Sequence, residues 1–248
     1  MIPLASILPT RKTQMKVLVV ENYDNTGLGQ MATALNEAGA VLTVLRAHRG
    51  DPLPQAPDGY DALIVLGGGQ NALADDEYPY LPHLSHLMRA FADSGRSTLG
   101  ICLGSQILAR AYGADNLIGA APEFGWQTVG LTPEGQDDPV LATLPRDFPI
   151  FQWHDDTFTL PRGGTRLAGN DAAHNQAFRV GRAGYGIQFH FEADSTLVAE
   201  WHDAFAETIA AKRPGWTERY PSEAEAHGPA ADAAGLAIAR AWVRTITA

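Results

Sequence analysis

Apolar and polar positions along the first half of the chain fall into two alternating patterns. The runs "KVLVV" (16–20), "AVLTVLR" (40–46), "DALIVLG" (61–67) and "STLGI" (97–101) are short, rich in β-branched residues and bounded by glycine, proline or aspartate. Such continuous runs predict strands covered on both faces. Residues 28–38, 80–94 and 104–112 instead repeat their apolar positions at helical spacing. The first two of these helices stop at Gly39 and Gly95, where a left-handed cap is easiest with glycine. Strands and helices in this order predict an α/β fold, a doubly wound and mostly parallel sheet with helices on both faces.

After residue 112 the texture changes. "FGWQTVGLTPEG", "FPIFQWHDDTFTLP", "TRLAGN" and "AFRVGRAGYGIQFHFE" are short alternating segments separated by turn residues, and predict antiparallel or mixed strands. From Ser195 the pattern predicts a C-terminal helical tail of two helices, 195–212 and 224–248, parted by the breaker "RPGWTERYPS". No internal repeat or long linker interrupts the chain, so residues 15–248 are expected to form one domain. Residues 1–14 are expected to be a disordered leader, because the basic pair Arg11 and Lys12 follows the apolar part instead of preceding it as in a secretory signal. Met15, directly before the first strand, is an alternative start.

Composition narrows the partners. Of 248 residues, 28 are acidic and 18 basic, a formal net charge of -10, which disfavours nucleic acid and anionic membrane surfaces. The single cysteine permits no intrachain disulfide, and a cytoplasmic location is expected.

That cysteine, Cys102, lies in "GICLGSQ", where a strand must hand over to a helix. A nucleophile on so sharp a turn needs small neighbours, here Gly100 and Gly104. A helix start beside a sulfur favours the reactive thiolate. A cysteine nucleophile also needs a base and a group to orient that base. "GYGIQFHFEAD" offers His190 and Glu192, two residues apart and so on one face of a strand, with Phe189 and Phe191 on the other. "VLGGGQN" (65–71) provides backbone without side chains, able to offer N–H groups to a developing oxyanion, with the Leu103 N–H as a second donor.

Taken together, "GICLGSQ", "QFHFE" and "VLGGGQNALADDEYPYL" resemble the class I glutamine amidotransferases, especially the glutaminase portion of GMP synthase and its stand-alone relatives. The resemblance runs from about Lys16 to about Trp201. It implies a Cys-His-Glu triad of Cys102, His190 and Glu192, oxyanion donors at Gly68 and Leu103, and Gln106 as a residue holding the substrate glutamine. The implied reaction is cysteine-dependent hydrolysis of a γ-glutamyl amide, glutamine to glutamate and ammonia, without cofactor or metal. Two alternatives stay open: a γ-glutamyl peptide hydrolase, and a glutaminase subunit that is active only on a separate synthetase partner. "QWHDDTFTLP" and "NQAFRVG" resemble segments flanking the glutamine pocket, without a defined role for His154 or Gln176. Two positions depart from the family pattern: Gly69 and Phe191 stand where prolines are usual, and Gly69 is expected to loosen the oxyanion loop.

Other signals carry less. "GLGQMA" (27–32) matches a dinucleotide fingerprint formally, but Gly27 does not come directly off the strand and no ribose-binding carboxylate ends the second strand. His83 and His86 sit three apart on a helix with no further ligand set nearby. Asp75, Asp76 and Glu77 read as a solvated loop, and Leu236, Ile238, Trp242 and Val243 as a packing stripe.

Overall fold

The computed structural model describes residues 14–247, so the expected leader lies, except for Gln14, outside the described residues. The first half contains β1 (Lys16–Glu21), α1 (Gly29–Glu37), β2 (Val41–Arg46), β3 (Ala62–Val65), α2 (Leu81–Asp93), β4 (Ser97–Ile101) and α3 (Leu103–Ala111). Each lies within a residue or two of its predicted bounds, because both hydrophobic periods are long and cleanly punctuated. The second half adds β5 (Asn116–Leu117), β6 (Glu123–Leu131), α4 (Pro133–Gln136), β7 (Asp147–His154), β8 (Thr157–Phe158), β9 (Thr165–Gly169), β10 (Ala177–Val180) and β11 (Gly184–Ile187). Three helices follow: α5 (Ser195–Ala204), α6 (Ala206–Lys212) and α7 (Trp216–Val243).

Nine strands form one sheet in the order β2-β1-β3-β4-β11-β10-β9-β6-β7, while β5 and β8 pair separately. The five strands from β2 to β11 are mutually parallel. Beyond β11 every pairing is antiparallel, so only β10 and β6 run against the common direction.

Successive residues of the central strands feed two cores. Val17 and Val19 of β1, with Ile64 and Ile101, meet Met31 and Leu35 of α1 and Ile238 and Trp242 of α7. Leu18 and Val20, with Leu63 and Val65, meet Leu84, Met88 and Phe91 of α2 and Leu103 and Ile107 of α3 on the other face. The continuous apolar runs follow from this, since a strand covered by helices on both sides has no polar face. Among the described residues no helix is long and apolar enough to cross a membrane.

The structure corrects two local expectations. The predicted breaker over 213–222 is helical from Trp216 onward, and α7 continues through Pro221 and Pro229. A proline inside a helix removes one hydrogen bond and costs about 3 kcal/mol or more. Burial of Trp216 against Phe124, Phe151 and Trp126, and of Tyr220 against Trp126, anchors this first stretch of α7. The second correction concerns "QFHFE": β11 ends at Ile187, and residues 188–194 are irregular. The His190 N–H donates to the Phe151 carbonyl, 2.9 Å, and the Gln30 N–H donates to the Glu192 carbonyl, 2.8 Å. The chain thus leaves its sheet neighbours to bond with β7 and the start of α1.

Candidate active site

The carboxyl ends of the parallel strands converge on one cavity of about 440 Å³, as open α/β sheets generally place their ligands. Cys102 sits at its base between β4 and α3, with φ 50° and ψ -110°, a backbone region that residues other than glycine rarely occupy. The turn is tight because the neighbouring elements leave no room. A Cβ on Gly100 would lie 2.2 Å from the Gly104 carbonyl oxygen, and one on Gly104 would lie 2.1 Å from that of Val65. The Cys102 N–H donates to the Ile187 carbonyl, 2.9 Å, and its thiol points toward the Trp153 carbonyl, 3.6 Å.

His190 faces the same cavity and is buried, its ring edge-on to Trp201 at 5.0 Å. Its Nδ1 lies 2.6 Å from Glu192 Oε1. Burial alone would push the imidazolium pKa down. The charges of Glu192 and of the Cys102 sulfur, with hydrogen bonds to both, outweigh it and hold the pKa above the ordinary histidine value. Gly67 keeps the space between base and thiol open, since a Cβ there would lie 3.2 Å from His190 Cε1 and 3.4 Å from Cys102 Cβ.

Gly68 and Leu103 border the same space, and a Cβ on Gly68 would come within 2.9 Å of Leu103 Cδ2. Leu103 is the first residue of α3, where helix N–H groups have no partner within the helix. Gly69, expected to loosen this loop, is exposed beside Tyr23, and a Cβ on it would lie 3.2 Å from Tyr23 Cε2. The loop is also tied down from behind, by Gln70 and Tyr80 of the same motif and by Asn22, which no motif reveals. Gln70 Nε2 donates to the Asn22 carbonyl, 3.0 Å, and to the Tyr80 hydroxyl, 2.6 Å. Asn22 Nδ2 donates to the Leu66 carbonyl, 2.7 Å. Burial pushes the Tyr80 phenol up to about 12, keeping it neutral.

Gln106 lies on the wall with Nε2 3.3 Å from Gln188 Oε1. His154 lines the cavity as well, its Nδ1 2.9 Å from the Asp156 carbonyl. Its Nε2 is 3.1 Å from Glu123 Oε2 but misaligned for a hydrogen bond. Glu123 is the hub of a buried polar cluster, accepting from Asn170 Nδ2 at 2.6 Å and from Gln176 Nε2, while Gln152 Nε2 donates to Gln176 Oε1 at 3.2 Å. Gln176 therefore stands behind the cavity wall. Glu123, Asn170 and Gln152 escape sequence reasoning because they come from three different strands and their ends, without a common spacing.

Several weaker signals find places elsewhere. A Cβ on Gly29 would lie 2.0 Å from the Glu192 carbonyl oxygen, so Gly29 of "GLGQMA" serves close packing of α1 on the 188–194 segment, while Gly27 faces Leu197. The Gln30 N–H that a bound phosphate would need is already used by that carbonyl. Asp75 is not a freely solvated residue: Arg110 grips it bidentately at 2.7 and 2.6 Å, and this pairing lowers its carboxyl pKa. His83 Nε2 bonds the Pro54 carbonyl at 3.2 Å.

A thiol on a strained backbone, a buried histidine–carboxylate pair and a glycine loop at a helix start can together perform nucleophilic acyl chemistry. A family model for class I glutamine amidotransferases matches residues 18–205. The chain is 29% identical over 181 residues to the glutamine amidotransferase-like protein YfeJ of Salmonella typhimurium, covering 72% of this chain and 76% of that one. It is 30% identical over 141 residues to one subunit of the glutamine-hydrolyzing GMP synthase of Thermoplasma acidophilum, covering 56% of this chain and 66% of that one. A glutamine amidotransferase crystal structure from Thermotoga maritima superposes with a TM-score of 0.83 at 27% identity, over 95% of this chain and 99% of that one.

Proposed function

Since the chain belongs to the class I glutamine amidotransferase family, we propose that it hydrolyses a γ-glutamyl amide, glutamine in the simplest case, through a γ-glutamyl thioester on Cys102. The observation that carries this reading is the strained Cys102 opening into one cavity with the His190–Glu192 pair. The sulfur attacks the γ-carbonyl carbon, and the charge that develops on oxygen meets the backbone N–H groups of Gly68 and Leu103. The C–N bond then breaks as the His190 imidazolium hands its proton to the departing amine. Water, deprotonated by His190, attacks the thioester and releases glutamate and the free thiol. Glu192 orients the imidazole and supports its charged form, and Gln106 helps to hold the glutamyl group. A cytoplasmic setting suits a chain whose nucleophile is its one thiol.

Incubation with a glutamine-mimicking electrophile, followed by peptide mass spectrometry, tests the covalent step. Stoichiometric labelling at Cys102, lost in Cys102→Ser together with glutamate release, is expected. Undiminished turnover in Cys102→Ser would overturn the reading.

A second reading, a glutaminase subunit serving a separate synthetase, draws on the Thermoplasma acidophilum relative, which is one subunit of a GMP synthase. The purified chain decides between the two. Glutamate release by the chain alone supports the self-sufficient hydrolase. Turnover no faster than Cys102→Ser, restored by a co-purifying synthetase, supports the second reading.

A further inference from the structure

The cavity is larger than the proposed glutaminase reaction needs. Its roughly 440 Å³ falls in the range of pockets that hold drug-sized ligands, whereas glutamine is far smaller and ammonia, its leaving group, needs no compartment. The extra space has a definite direction. Trp201 stands edge-on to His190 at 5.0 Å, and Phe205 follows one helical turn later at the junction of α5 and α6. Trp153 packs against both, at 5.9 and 5.4 Å, and Tyr23 continues the wall from Phe205 at 6.3 Å. This aromatic wall begins at the one group that must protonate the departing nitrogen, and it runs from there to the cavity mouth.

The outer part is built partly by the tail. Thr208 and Lys212 of α6 line the cavity, although α6 begins just beyond the segment that matches the family model. Tyr23 and Ile118 line it as well, both large, apolar in body and exposed. Of the two rim carboxylates, Asp155 is held by Arg213 at 2.6 Å and approached by Lys212 at 3.8 Å, while Asp156 Oδ1 accepts the Gly119 N–H at 2.8 Å.

Resting on the hydrolase reading above, we infer that the compartment between Trp201, Phe205, Tyr23 and Thr208 receives the leaving amine, and that the preferred substrate is a γ-glutamyl amide of an uncharged-bodied aromatic or apolar amine. The sulfur of Cys102 bonds to the γ-carbonyl carbon, the bond to the amine nitrogen breaks, and that nitrogen leaves with the proton from His190. Water then cleaves the thioester to glutamate. Binding energy from the amine's apolar body is realised in the transition state and raises kcat/KM for the larger amide over glutamine.

The test compares glutamate release from glutamine and from γ-glutamyl benzylamide, whose leaving amines are of similar basicity, so that their ratio reports on the compartment and not on leaving-group chemistry. A kcat/KM ratio of at least about tenfold in favour of the benzylamide is expected. Thr208→Trp, at an exposed position whose substitution leaves the core intact, fills the compartment and should bring the ratio down at least about tenfold. Phe205→Ala should lower it in the same direction. Equal or better use of glutamine by the unmodified protein, or a ratio that Thr208→Trp leaves unchanged, would overturn the inference while the hydrolase reading stands. Turnover of neither amide above the Cys102→Ser background would overturn the hydrolase reading and this inference with it.

Discussion

Nδ1 of His190 lies 2.6 Å from Oε1 of Glu192 even though the strand leading to them has ended at Ile187. The contact is set by a loop that bonds to β7 and to the start of α1, and the other carboxylate oxygen, Glu192 Oε2, is buried without a hydrogen-bond partner among the described residues. The carboxylate is therefore committed to the imidazole.

A pH dependence follows. Because the negative charge of Glu192 helps to raise the His190 pKa against burial, the imidazolium persists to higher pH than an ordinary histidine, and activity that requires it is lost as pH rises through that raised value. Glu192→Gln removes the charge, so the alkaline limb of kcat/KM should move to lower pH by about one pH unit or more. An alkaline limb that stays in place would show that Glu192 does not act on the imidazole.

His190→Ala should be the more severe lesion, with kcat falling by about 10²- to 10⁴-fold, since it removes the proposed proton carrier itself. Glu192→Gln retains the ring and part of its positioning. Parallel steady-state measurements on the two variants check the order, and equal rates near that of the unmodified protein would place both residues outside the chemistry.

The backbone of Cys102 inverts a familiar stability ranking. At φ 50° and ψ -110° an alanine is strained and a glycine is not, so Cys102→Gly should be more stable than Cys102→Ala by about 1 kcal/mol. In an ordinary buried position glycine is the weaker of the two. Chemical denaturation of both variants reads the difference directly, and a more stable alanine variant would mean the turn relaxes in solution.

The elbow itself should tolerate no added methyl group. Gly104→Ala brings a Cβ to 2.1 Å from the Val65 carbonyl oxygen, and the forced separation of α3 from β3 should cost about 1–3 kcal/mol. Turnover should fall with it, because the same displacement moves Cys102 and Leu103. Thermal melting beside glutamate release tests both halves of this expectation.

Glu123→Ala should destabilise the fold by about 2–3 kcal/mol, as Asn170 and Gln176 lose a buried acceptor. Glu123→Gln keeps one acceptor oxygen and should cost less. The check is a denaturation midpoint that shifts with an unchanged slope, and an alanine variant as stable as the parent would mean that water replaces the carboxylate.

What the sequence determined by itself is whatever depends on local period and local sterics. The apolar runs of β1, β3 and β4 announce strands covered on both faces, because no polar position interrupts them, and Gly100 and Gly104 announce a tight strand-to-helix turn around Cys102, because only a residue without Cβ fits there. The tertiary structure decided what depends on which backbone a segment finds as a partner. His190 and Glu192 were expected to share the face of a strand, yet they meet in a loop, because the His190 N–H finds Phe151 of β7 and the Glu192 carbonyl finds Gln30 of α1. Trp216 draws the expected breaker into α7 because burying an indole among Phe124, Trp126 and Phe151 outweighs the hydrogen bond that Pro221 forfeits. Glu123 and Gln176 become neighbours, and Phe205 and Thr208 reach a cavity opened by Cys102, only after the sheet order is fixed. A residue's spacing in the chain encodes the element it joins, but contacts between elements far apart in sequence arise from packing, which no local pattern records.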